Sequence, residues 1–177
     1  MRHFLPAACL ALLATSVISS AHAESQPRPE LEGVFRHSGG ERDRAALRRG
    51  IESVVGRMSV VIRDIARSRL AERVTIAPEV RIVRQRDTLY LDHEPIPLRR
   101  ITSDGTPVTL TSAFGERVRV STLRRGHTVR ETIRHFGSRR LNVYRLSRDG
   151  RSMDVAVRIR SNLLPAPLRF RLRYSRQ

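Results

Sequence analysis

Lysine is absent from this chain, and all 34 basic residues are arginine. A G+C-rich coding sequence would account for that choice of residue. It does not account for the excess over 17 acidic residues, which leaves a net charge of +17. Tryptophan is also absent and aromatics make up 5% of the chain. Cysteine occurs once, as Cys9, so a disulfide within one chain, a thiolate metal cage and a paired-thiol redox site are excluded. Glycine-rich phosphate loops, a G-x-S-x-G elbow, an H-E-x-x-H pair, and helix-turn-helix, zinc-finger and RNA-recognition signatures are all missing. Ser112 has no acidic or histidine partner at a fixed spacing. No catalytic residue, metal or cofactor is therefore expected, and a hydrolase without a recognisable motif is the weakest of three readings.

The first 23 residues read as a cleavable signal peptide. Arg2 supplies the positive start, Phe4 to Ser19 an apolar run, and Ala21-His22-Ala23 a small-x-small cleavage pattern. The run is shorter than the ~20 apolar residues that span a bilayer, and no basic stop-transfer flank follows it. Pro6-Ala7-Ala8 before Cys9 does not form a lipobox. Cleavage would remove the only thiol and place the mature chain in the periplasm or outside the cell. Residues 24–30, with Pro27 and Pro29, read as a flexible leader, and 31–177 as one domain. A monomer is expected, with no membrane-spanning segment after cleavage.

Within that domain, Leu31 to Arg36 suits a short strand. From about 41 to 70 the apolar residues Leu47, Ile51, Val54, Val55, Met58, Val61, Ile62 and Ile65 recur at steps of three and four. That spacing predicts one amphipathic helix whose stripe packs on a core, or two helices if Gly50 or Gly56 breaks it. After Pro78 the period becomes two. About nine short strands, from about 79 to 176, are separated by turns containing Gly or Asp, such as Ser103-Asp104-Gly105 and Ser147-Arg148-Asp149-Gly150. Connections this short permit only antiparallel neighbours. The fold class is thus mainly β: a meander of nine or ten strands curled into a barrel or half-barrel and covered by the helix.

Two faces follow from the alternation. Val118, Val120, Val129, Ile133, Val155, Val157, Phe170 and Leu172 fall on the expected inner face, as candidates to line a hydrophobic or amphiphilic ligand. Glu131 lies between Val129 and Ile133. It is either a polar contact inside the barrel, together with Tyr174, or is turned to solvent by a bulge. Tyr144 faces inward in one register of its strand. Arg158, Arg160, Arg169, Arg171 and Arg173 alternate with apolar residues on the last two strands. They form either a solvated outer face or a surface for anionic lipid or polysaccharide. No aromatic residue interleaves with them on that face, which argues against nucleic acid as partner. His127, Glu131 and His135 are spaced four apart along one strand, about 13 Å between neighbours, too far to chelate one metal. His93-Glu94 is read as part of a turn.

A short strand with Gly33-Val34-Phe35, a helical segment and a long meander resembles the calycins, most closely the fatty-acid-binding-protein branch. Lipocalins share the barrel and a Gly-x-Trp opening, here Gly33-x-Phe35. The resemblance implies a small lipid-like ligand held without catalysis. One departure is plain: fatty-acid-binding proteins carry Arg-x-Tyr on the last strand, whereas Leu172 stands two residues before Tyr174. That head-group site is not transferred.

Overall fold

The computed structural model describes residues 31–85, 88–93, 96–101 and 104–177; the expected signal peptide and leader lie outside them. The element order is β1 (Gly33–His37), α1 (Gly40–Val55), α2 (Val60–Arg73), β2 (Glu79–Gln85), β3 (Thr88–His93), β4 (Ile96–Ile101), β5 (Val108–Thr111), β6 (Arg117–Arg125), β7 (Thr128–His135), β8 (Ser138–Leu146), β9 (Ser152–Ser161) and β10 (Leu168–Arg176). These ten strands form one antiparallel sheet in the order β4-β3-β2-β1-β10-β9-β8-β7-β6-β5. β1 is the strand that bends the meander into a barrel, because it pairs with β2 on one side and with β10 on the other. β4 approaches β6 across the remaining seam.

Two-residue hairpins at Gly126-His127 and Phe136-Gly137 hold β6, β7 and β8 in strict register. Gly126 and Gly137 take φ values of 55° and 63°, a left-handed conformation that a side chain disfavours and tight hairpins require. The alternation then sends Phe35, Val80, Ile82, Leu91, Val129, Met153, Val155, Leu168, Phe170 and Leu172 to a common interior. Val118, Val120 and Ile133 form a second, smaller cluster beside Leu110.

The helix is broken in two. α1 starts where β1 parts from β10, and Asp43 seals the junction: its Oδ2 accepts from the Arg173 amide at 2.6 Å and lies 3.0 Å from His37 Nε2. Ile51, Val54 and Val55 pack into the core. Gly50 lets the helix lie against β10, since a Cβ there would stand 2.9 Å from the Arg169 carbonyl oxygen. After Gly56 the chain turns, and α2 crosses the mouth of the barrel. Its far end is tied by Arg73 Nη1 to Glu116 Oε1 at 2.8 Å, in the turn between β5 and β6.

This break corrects the expected stripe. Leu47 and Met58 pack on the core, but Val61, Ile62 and Ile65 are 84%, 50% and 60% exposed. The turn over residues 56–59 resets the helical phase, so Ala66 and Leu70 face the core instead. Among the described residues no helix is long and apolar enough to cross a membrane.

Candidate ligand site in the barrel interior

The register divides the inner wall into two chemistries. One inward row runs Thr122, Glu131, Asn142, Val157, Phe170 across β6 to β10. The row beside it runs Val120, Ile133, Arg140, Ile159, Leu168. The polar side chains thus come from β6, β7 and β8, which also carry Val120 and Ile133, whereas β9 and β10 contribute only apolar ones to these rows.

Glu131 is the centre of the polar wall and is 0% exposed. Its Oε2 accepts from Asn142 Nδ2 and from the Tyr144 hydroxyl, each at 2.8 Å. His93 Nε2 lies 3.0 Å from the same oxygen and 2.8 Å from the Tyr144 oxygen. A hydrogen on Nε2 satisfies both contacts, since each oxygen can accept it. His93 belongs to β3, on the wall facing β7 and β8. The network therefore bridges the barrel, which corrects the reading of His93 as a turn residue. The open alternative for Glu131 is resolved inward.

Arg140 stands next to this network. Its Nε donates to Asn142 Oδ1 at 3.0 Å, and among the described residues no carboxylate pairs with it. Desolvation holds its guanidinium below the ordinary arginine pKa, partly opposed by the neighbouring Tyr144 and Tyr174 phenols. Burial pushes the Tyr174 phenol up, and Arg140 pulls it part of the way back. The Tyr174 hydroxyl donates to the Ala77 carbonyl at 3.0 Å, so it anchors the connection between α2 and β2.

Val118, Val120, Val129, Ile133, Val155, Val157, Phe170 and Leu172 are buried, as is Tyr174. They do not form one lining, since Val118, Val120 and Ile133 sit apart from the main cluster. Arg160, Arg169, Arg171 and Arg173 are exposed on the outer face, and Arg158 is half-buried there. Arg173 pairs with Asp154 at 3.2 Å.

Sequence reasoning missed Arg140, Asn142, His93 and Thr122. The signal for Arg140 and Asn142 was the inward phase of β8, on which 140, 142, 144 and 146 fall together. Leu141 and Val143 concealed it by placing apolar residues on the opposite phase. Among the described residues, no group of His, Cys, Asp and Glu is arranged to hold a metal ion.

No family model matches the sequence and no curated protein matches it. Solved structures do resemble it. One is described as REP1-NXSQ fatty acid transporter, 13% identical, with 83% of this chain and 96% of that chain covered and a TM-score of 0.48. Another is the Echinococcus granulosus fatty-acid-binding protein 1, 9% identical, with 82% and 96% covered and a TM-score of 0.46. Among the described residues, ten antiparallel strands with a helix pair between the first and second form a calycin-like barrel.

Proposed function

We propose that this chain is an exported, non-catalytic binding protein that holds a small amphiphile, with an acidic head and an apolar tail, inside the barrel. The observation that carries the reading is Arg140: a desolvated cation on the inner wall, with no carboxylate partner among the described residues. A half-buried, desolvated guanidinium left without an anion is costly, and a ligand carboxylate or phosphate would offset that cost. The division of the wall supports the orientation. The head would meet Arg140 and Asn142 on β8, and the tail the apolar side chains of β9 and β10. The export reading rests on Arg2, the apolar run and Ala21-His22-Ala23.

Displacement of a fluorescent fatty acid by a long-chain acid and by the matching alcohol tests the assignment. Arg140→Gln should weaken the acid by about tenfold to a hundredfold, the range for a charge-assisted hydrogen bond, and leave the alcohol almost unchanged. Equal losses for acid and alcohol, or no displacement by either in the unmodified protein, would overturn it.

A further inference from the structure

Outside the barrel, arginines stand opposite one another on four successive strands. Arg119 of β6 is the register partner of Arg134 of β7, Arg134 of Arg139 of β8, and Arg139 of Arg160 of β9. Neighbouring strands are about 4.8 Å apart, so the row places four guanidinium stems within about 15 Å. Like charges directly opposite across a sheet are destabilising. Among the described residues, none of the four has a carboxylate partner to relieve that repulsion. The crowding reaches Arg158, whose pKa is lowered by desolvation and by its neighbours Arg160, Arg169 and Arg139.

The row lines a cavity of about 990 Å³ that opens to solvent, with Arg117 and Ser161 on its wall. Its rim is apolar. Phe136 is 92% exposed at the hairpin between β7 and β8, and Leu163 is 82% exposed in the connection between β9 and β10. The two turns are fixed to each other by the Asn162 amide donating to the Gly137 carbonyl at 3.1 Å. Two large apolar side chains therefore project from one rigid edge beside a concavity in which the four arginines of the row face a single carboxylate, Glu116, itself paired with Arg73.

We infer that this edge docks the protein on a bilayer containing anionic phospholipid. The arginines would pair with lipid phosphates, and Phe136 and Leu163 would enter the boundary between head groups and acyl chains. Charge complementarity calls for an anionic partner, since guanidinium matches phosphate bidentately. The apolar rim selects a membrane over a nucleic acid or polysaccharide. Leucine offers no stacking face, and the apolar residues stand at turn tips instead of alternating with the arginines along a groove. The surface is on the outer wall and does not depend on the proposed interior ligand.

Sedimentation with vesicles of phosphatidylcholine, with and without one-third phosphatidylglycerol, tests the inference. Binding is expected only to the anionic vesicles, with steep loss on adding salt. The triple variant Arg134→Ser, Arg139→Ser, Arg160→Ser should weaken it about a hundredfold, at roughly a factor of five per arginine. A charge-matched control, Arg125→Ser, Arg130→Ser, Arg148→Ser, should retain most of it. Phe136→Ser with Leu163→Ser should weaken vesicle binding at least several-fold without changing its salt dependence. Thermal melts confirm that each variant folds. Equal loss in the control, no effect of the Phe136 and Leu163 substitutions, or tighter binding to heparin or RNA than to anionic vesicles would each overturn the membrane assignment.

Discussion

At the scale of single residues, Glu131 shows how much a barrel interior depends on one side chain. Three polar groups on β3 and β8 converge on its Oε2: Asn142, Tyr144 and His93. Replacing Glu131 with leucine keeps the approximate volume but leaves buried donors without an acceptor. Losses of this kind cost about 3–5 kcal/mol. Glu131→Leu should therefore lower the urea midpoint sharply. Glu131→Gln, which keeps one acceptor, should cost clearly less. If both variants unfold at the wild-type midpoint, the network does not hold the facing walls together. That a carboxylate lies at an inward phase of β7 was legible, because Val129 and Ile133 flank it. What answers it was not, since His93 lies 38 residues away in the chain. A contact across a barrel has no spacing to read.

At the scale of elements, α2 is held differently from α1. α1 buries Ile51, Val54 and Val55, whereas α2 has no fully buried residue and is tied by charge. Arg67 Nε meets Glu52 Oε1 of α1 at 2.6 Å, and Arg73 meets Glu116 at the far end. The hydrogen bond from Arg67 lowers the Glu52 pKa below 4.5, and that from Arg73 does the same for Glu116. A carboxylate with a depressed folded pKa contributes its stabilisation above the unfolded value, and loses it as pH falls through the folded one. Both tethers should thus hold at neutral pH and fail together in the acid range below that value. Amide exchange at pH 7 and at about pH 3, corrected for intrinsic rates, should show α2 losing protection while α1 keeps it. Loss of protection in both helices to the same extent would show that they open as one unit. The period-two strands were legible because each alternates over its whole length, as Leu168, Phe170, Leu172 and Tyr174 do. The helix pair was legible only as far as Met58. Val61, Ile62 and Ile65 continue the helical spacing, but a turn over four residues changes which side the spacing faces.

At the scale of the whole molecule, salt acts on stability in two opposing ways. Exposed ion pairs such as Arg48–Glu41 and Arg36–Glu79 are weakened by salt, and in contact with water they contribute little to begin with. Repulsion among arginines is also weakened by salt, and that raises stability. The 17 carboxylates can neutralise at most half of the 34 arginines, so repulsion outweighs the ion pairs. It is concentrated where Arg119, Arg134, Arg139 and Arg160 are register partners. The melting temperature should therefore rise between about 0.02 and about 0.5 M sodium chloride, as the screening length shrinks from about 20 Å to about 4 Å. Sulfate at equal ionic strength should raise it further if the row binds anions as well as being screened by them. Replacing Arg134, Arg139 and Arg160 with serine should raise stability at low salt and flatten the rise. A melting temperature that falls with salt would show that the ion pairs dominate after all. A slope that the triple substitution leaves unchanged would show that the repulsion is spread over the whole outer wall and not focused in that row.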